Sequence, residues 1–263
     1  MLGRLACCIV LMLLAGAGQT EAEPQLANIF YKDDRQAQAR TLNSDFAAVG
    51  ALQILDDGRW RGRGAATLVS PCHVLTAHHI AFGGDRAPGD PLSFAYGPPR
   101  DGRAFAERVR AFAVIWGNRD RHVHEDWALL RLEPCIGEKV AWWPPVSMTT
   151  EEAAALPDGV MLAGLPGDRN IDAVSVDPSC RVVGSDLRLP PAWLHDCATR
   201  IGDSGGALFR IGENGRPVLL GVVHAEGKRR SEILSVWTPA HSNFAVPVAN
   251  FIDRIHPYLA GAE

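Results

Sequence analysis

The apolar runs of this chain are short, and turn-forming residues keep breaking them: there are 26 glycines and 18 prolines in 263 residues. Residues 48–55 read as a strand, 56–58 as a hairpin turn built on Asp57 and Gly58, and 60–69 as the return strand. Residues 104–116, 126–132, 160–164, 173–183, 207–209, 217–224 and 235–237 supply further strand-like runs. The segment 82–103, rich in Gly, Pro and charge, reads as surface loop, and 117–125 as a polar loop. Helical spacing occurs once, near the end, where Val248, Phe251, Ile252, Ile255 and Leu259 predict a helix over 246–259 that Pro257 interrupts in its last turn. Many short strands, one terminal helix and no internal repeat predict an all-β architecture of paired barrels.

The N-terminus adds a leader. Arg4, the apolar run 5–15 and the small-residue site ending at Ala22 have the layout of a secretory signal over residues 1–22. The apolar run is short for a bilayer span, so no stable membrane anchor is expected and the protein is expected to be secreted or periplasmic. Six cysteines, less Cys7 and Cys8 in the leader, leave Cys72, Cys135, Cys180 and Cys197. An even set in an exported chain favours disulfides, with every pairing of the four open at this point. A formal net charge of −4 gives no electrostatic case for nucleic acid.

The chemistry concentrates at residues 199–208. Gly202 and Gly205 flank Ser204, and Gly202 permits backbone geometry in which its N–H and that of Ser204 converge on one point. Such a pair stabilises the oxyanion of a tetrahedral intermediate. A serine hydroxyl also needs a base, normally a histidine oriented by a carboxylate. Upstream lie the histidines of Thr76-Ala77-His78-His79 and the acid of Asp126-Trp127-Ala128-Leu129-Leu130. Asp120 and Glu125 compete with Asp126, but Asp126 alone heads the apolar run. The order His, Asp, Ser along the chain is that of one peptidase class among several.

These three segments, with Gly202-Asp203-Ser204-Gly205-Gly206, resemble the signature segments of chymotrypsin-fold serine peptidases. The pattern is most similar to the bacterial glutamyl endopeptidase branch, whose opening segment Asp33-Asp34-Arg35 and turn Gly164-Leu165-Pro166-Gly167-Asp168 resemble. The resemblance implies two packed antiparallel β-barrels with a C-terminal helix. It divides the chain into an N-terminal extension or propeptide (23–43), a first barrel (44–140), a connection (141–158), a second barrel (159–247) and a helix with tail (248–263). It implies His79, not His78, as base, Asp126 as its orienting acid, Ser204 as nucleophile, and Gly202 and Ser204 as oxyanion donors.

The same resemblance implies the pairings Cys72–Cys135 and Cys180–Cys197. It places Ala198 where an aspartate would select Lys or Arg substrates, and Thr199 where the glutamyl branch contacts an acidic side chain. The segment from Gly221 to Gly227 is one residue longer than that of the branch, so either Val223 or His224 faces the substrate pocket, because strand side chains alternate. Asp203 is expected to pair with an α-amino group, at a terminus near Asn28-Ile29 or one released at Gln36 or Thr41. His122, His124, Glu125 and Asp126, and His73 with His78 and His79, lack the spacing of metal sites, so no metal and no cofactor is expected. The expected activity is that of a monomeric serine endopeptidase acting on proteins or peptides through an acyl-enzyme. An inactive binding protein on the same fold, or an esterase with the same triad, are the alternatives.

Overall fold

The computed structural model describes residues 28–83, 89–119, 122, 124–186, 188–226, 233–234 and 236–260. The expected leader at 1–22, and 23–27 of the expected extension, lie outside them. Two short strands come first, β1 (Ile29–Phe30) and β2 (Gln36–Ala39). The first barrel follows with β3 (Val49–Asp56), β4 (Arg59–Ser70) and β5 (His73–Thr76), the short helix α1 (His78–Phe82), then β6 (Leu92–Tyr96), β7 (Glu107–Trp116) and β8 (Ala128–Glu133). These six strands close in the order β3-β4-β5-β8-β7-β6. Asp57 and Gly58 both have positive φ (47° and 73°), the turn geometry whose twist suits a tight hairpin between β3 and β4.

The connection carries helix α2 (Thr150–Ala154), which starts at a capping box: Thr149 accepts from the Glu152 N–H, and the Glu152 side chain accepts from the Thr149 N–H. The second half comprises β9 (Val160–Gly164), β10 (Ala173–Cys180), β11 (Val182–Ser185), β12 (Trp193–His195), β13 (Ala207–Ile211), β14 (Pro217–Glu226), β15 (Ile233–Leu234), β16 (Asn243–Pro247) and the terminal helix α3 (Ile252–Leu259). Eight strands curl into a half-barrel in the order β11-β12-β16-β14-β13-β9-β10-β2. This is the expected two-barrel, all-β architecture with a C-terminal helix. Among the described residues no helix is long and apolar enough to cross a membrane.

Four local expectations change. Residues 92–96, read as loop, form β6, fully buried between β3 and β7. Burial on both faces removes the polar alternation that marks a surface strand, and Pro91 and Gly97 mask its ends. Residues 246–247 end β16 and pair with β14, so the helix begins only at Ile252. Of the strand expected over 235–237, residue 235 lies outside the described residues and 236–237 are not strand; a short strand occurs at Ile233–Leu234, and Val236 is 62% exposed. Finally, 28–39, read as lacking periodicity, carries two paired strands: β2 is hydrogen-bonded to β10 at the edge of the half-barrel, and β1 runs parallel to β15 in a separate two-stranded sheet.

One core cluster runs through both halves. Trp143 packs on Phe209 at 4.7 Å between ring centroids and donates its indole N–H to the Asp45 carbonyl at 2.9 Å, tying the connection to both barrels. Phe251, at the start of α3, stacks on Trp127 at 4.5 Å, so the terminal helix seals the barrel beside Asp126. Cys72 is bonded to Cys135 and Cys180 to Cys197, as the resemblance implies. Non-reducing peptide mapping of the protein should recover both links. Replacing either pair by alanine should cost about 3–4 kcal/mol of stability, the size loop-closure entropy gives for such separations.

Candidate active site

Strand pairing brings His79 and Asp126 together. Thr76, at the end of β5, lies opposite Ala128 at the start of β8, so the residues just beyond each strand end face one another. Ala77 leads directly into α1, whose first turn carries His79. Asp126 is fully buried; its Oδ1 accepts the His79 backbone N–H at 2.8 Å and its Oδ2 lies 2.6 Å from the ring Nδ1. A carboxylate can only accept, so Nδ1 carries the proton and Nε2 is left as the basic nitrogen of a ring that is 27% exposed.

Burial pushes the Asp126 carboxyl up, but the imidazoles of His224 and His79 outweigh it and hold the acid well below the usual carboxylate range. Asp126 is therefore ionised at any pH at which the protein works. The ring of His78 turns the other way and packs against Phe82 at 4.9 Å. Glu125 closes its own loop by accepting the Asn118 N–H at 2.7 Å. Asp120 lies outside the described residues.

Ser204 sits on a turn locked to the first barrel. Its carbonyl accepts the Ala65 N–H from β4 at 2.9 Å, and Gly205 N–H donates to the Val223 carbonyl at 2.7 Å. Gly205 has φ +82°, and a Cβ there would fall 2.1 Å from the Ala65 oxygen and 2.4 Å from Thr76 Oγ1. A Cβ on Gly64 would fall 2.6 Å from the Ser204 oxygen and 2.7 Å from Ile80 Cδ1, so Gly64 is the thin wall between the serine turn and the helix of His79. The N–H groups of Asp203 and Gly206 are bonded within the turn, to Arg200 O and Asp203 O. Those of Gly202 and Ser204 donate to no backbone carbonyl among the described residues. The half-buried Ser204 hydroxyl makes no hydrogen bond among the described residues.

The residues expected to set specificity are all buried, but in different surroundings. Ala198 and Thr199 are buried together, the former donating its N–H to Asp177 at 2.7 Å and the latter to the Asn28 carbonyl at 3.2 Å. The Thr199 hydroxyl is buried without a hydrogen-bond partner among the described residues. Val223 packs into the core of the second barrel. The pairing of β14 with β16 shifts register between Val223 and Ala225, so His224 is the bulged residue. Its ring is aimed at Asp126, with Nδ1 3.5 Å from Oδ2.

Charges distant in sequence brace the serine turn. Arg35, 6% exposed, pairs with Asp33 at 2.9 Å and with Asp168 at 2.7 Å, and Asp168 also pairs with Arg200 at 3.1 Å. The loop holding Asp168 continues the brace, because Gly167 N–H donates to the Ile201 carbonyl at 2.7 Å. The hydrogen bond from Arg35 pulls the Asp33 carboxyl down to about 2 despite its partial burial. Asp33 therefore adds stability in full above about pH 4 and loses it as pH falls towards its folded value. Arg35 and Arg40, the residues before the expected termini at Gln36 and Thr41, both have buried side chains. Asn28, also buried, bridges to Thr199. Asp203, the expected partner of an α-amino group, accepts the Arg200 N–H at 2.9 Å. Nothing in the sequence pattern announces the Arg35–Asp168–Arg200 brace or the approach of Arg119 and His224 to Asp126.

A family model described as trypsin-like peptidase domain matches residues 64–221. No protein in the curated set matches the sequence. Among solved structures, a Glu endopeptidase in complex with MPD is similar in fold, with a TM-score of 0.61 and 17% identity over 88% of this chain and 99% of that one.

Proposed function

The chain belongs to the trypsin-like peptidase family, and on that footing we propose that it is an exported serine endopeptidase working through Ser204, His79 and Asp126. The observation that carries the reading is the double grip of one buried carboxylate on His79, through the backbone N–H and through Nδ1, which fixes the tautomer with Nε2 free. In the reaction, Nε2 takes the Ser204 proton as Oγ attacks the scissile carbonyl carbon. The imidazolium that forms is stabilised by the ionised Asp126. The new oxyanion receives the N–H groups of Gly202 and Ser204. Collapse expels the amine, which takes its proton from His79, and leaves an acyl-Ser204. Water, deprotonated by the same Nε2, then releases the acid and restores the serine.

Ala198 puts no charge at the position that selects basic side chains, and Thr199 beside it carries a buried hydroxyl without a hydrogen-bond partner among the described residues. The disulfides accord with export into an oxidising compartment. The mature terminus, on this reading, lies at or before Asn28, because the chain from there on is part of the fold.

A fluorophosphonate probe tests the activity directly, since only an activated serine is labelled. A single adduct on Ser204, with cleavage of peptide amides in a library, is the expected result. Absence of labelling in the folded, mature protein would make it a binding protein, and turnover of simple esters alone would make it an esterase.

A further inference from the structure

The first barrel carries a concave surface that the reaction at Ser204 does not use. It is a groove of about 560 Å³, within the size range of ligand sites, walled by Arg59 and Trp60 of β4, Arg103 and Phe105 of the β6–β7 loop, and Glu107 and Arg108 of β7. Three arginines thus stand against one glutamate, in a chain whose formal net charge is −4. Arg59 and Arg103 are exposed and form no ion pair among the described residues. Arg108 is held in place: its Nε donates to Gln53 Oε1 at 2.7 Å, and its guanidinium lies 5.3 Å from the Trp60 ring centroid. Burial first, and then the neighbouring charge of Arg103, lower the proton affinity of Arg108, so the like charges are felt across the groove. A fourth cation stands behind the wall. Arg40, 1% exposed, donates Nη2 to the Ala104 carbonyl at 2.7 Å and lies 4.1 Å from the Phe105 ring centroid. Its Nε and Nη1 have no hydrogen-bond partner, and it forms no ion pair among the described residues. A buried cation without a counter-charge is costly, and negative charge brought into the groove would offset that cost.

One strand joins this groove to the reacting centre. β4 runs from Arg59 to Ala65, whose N–H is bonded to the Ser204 carbonyl, a path of about 20 Å. Gly62 and Gly64 lie on that path without side chains, and a Cβ on Gly62 would meet nothing within 4 Å. Arg63, bulged between them, reaches the Gly83 carbonyl at 3.3 Å, at the end of the helix that bears His79. The amine leaving group takes its proton from His79, so the substrate chain beyond the scissile bond lies on this side. We propose that the groove is a second binding site for the protein substrate, taking an acidic, partly apolar segment beyond the scissile bond, with carboxylates on Arg59, Arg103 and Arg108 and an apolar side chain on Trp60. The inference rests on the Ser204–His79–Asp126 reading and names a class of substrate for it.

The test compares two peptides with the same scissile segment, one of them extended on the leaving-group side by a spacer of about five residues and a stretch of alternating glutamate and leucine. With the full, mature protein at low ionic strength the extended peptide should have a kcat/KM roughly tenfold higher, through KM, the size that three partly exposed ion pairs give together. The advantage should disappear in the double variant Arg59→Ala/Arg103→Ala, with turnover of the short peptide unchanged, and should fade as salt is raised. Arg61→Ala removes a charge from the same strand, but that side chain lies outside the groove and pairs with Asp56 at 2.8 Å, so the advantage should persist. Equal turnover of the two peptides by the wild type, or an equal loss in Arg61→Ala, would overturn the proposal. Binding is read separately, by fluorescence anisotropy of the labelled extended peptide on Ser204→Ala with and without the two arginine substitutions. Binding that depends on those arginines, beside a wild type that cleaves neither peptide, would remove the catalytic reading and leave the groove a site for acidic peptide. Binding of a heparin oligosaccharide but not of the peptide would put a sulfated glycan in its place and overturn the proposal.

Discussion

Ser204→Ala and His79→Ala should each lower kcat by roughly 10⁶, and the double variant should be no worse than either alone. The reason is that nucleophile and base act as one unit: without a base the hydroxyl stays protonated, and without the hydroxyl the base has nothing to activate. Asp126→Ala should cost less, roughly 10⁴, because the oxyanion donors and the substrate contacts survive it. Here the loss has two parts, since Asp126 fixes the ring through Nδ1 and also anchors the backbone N–H of the same residue. Single-turnover kinetics on a peptide amide, with circular dichroism to verify folding, provide the measurement. Near-normal turnover in His79→Ala together with its loss in His78→Ala would exchange the two histidines, against the packing of His78 on Phe82.

Gly205→Ala should be nearly as damaging to activity and far more damaging to the fold. The added methyl would meet the Ala65 oxygen at 2.1 Å and Thr76 Oγ1 at 2.4 Å, and neither neighbour is free to yield. Ala65 lies within β4, and Thr76 Oγ1 is itself bonded to the Ala65 oxygen at 2.8 Å. The backbone at φ +82° adds strain of about 1–2 kcal/mol for any residue with a Cβ. Together these should remove about 4 kcal/mol, within the range of the severe single substitutions. Thermal unfolding should then fall by roughly 10 °C for a chain of this size. Gly215→Ala supplies the comparison: its φ is +75°, yet a Cβ there meets nothing within 4 Å. That variant should lose only the backbone strain, about 1–2 kcal/mol, and keep full activity. Equal destabilisation of the two would mean that the serine turn is looser than its contacts indicate.

What the sequence made legible was local, and what it hid was long-range. The hairpin at Asp57-Gly58 could be read because its turn chemistry is written in adjacent residues, and the same holds for the glycines around Ser204. β6 could not be read, because a strand buried on both faces carries no alternation, and its flanking Pro91 and Gly97 are the residues of a loop. β1 and β2 were hidden for a different reason: a two-residue or four-residue edge strand has no periodicity of its own and exists through its partners, Ile233–Leu234 and β10. At the site, the extra residue near His224 was countable in the sequence, but the direction of its side chain depended on whether the pairing absorbed it as a bulge. The brace from Arg35 to Asp168 spans 133 positions and was invisible for the same reason that its energy is not local.

The hydrogen bond from the Ala65 amide to the Ser204 carbonyl crosses from one barrel to the other at the reacting centre. No other strand partner is needed to explain the protection of that amide, so its exchange with deuterated solvent times the opening of the cleft. If the barrels part as rigid units, the Ala65 proton exchanges at the rate of that parting, while amides inside either barrel wait for unfolding. One backbone proton thus serves as a clock for the assembled site, readable without substrate and in variants that cannot turn over.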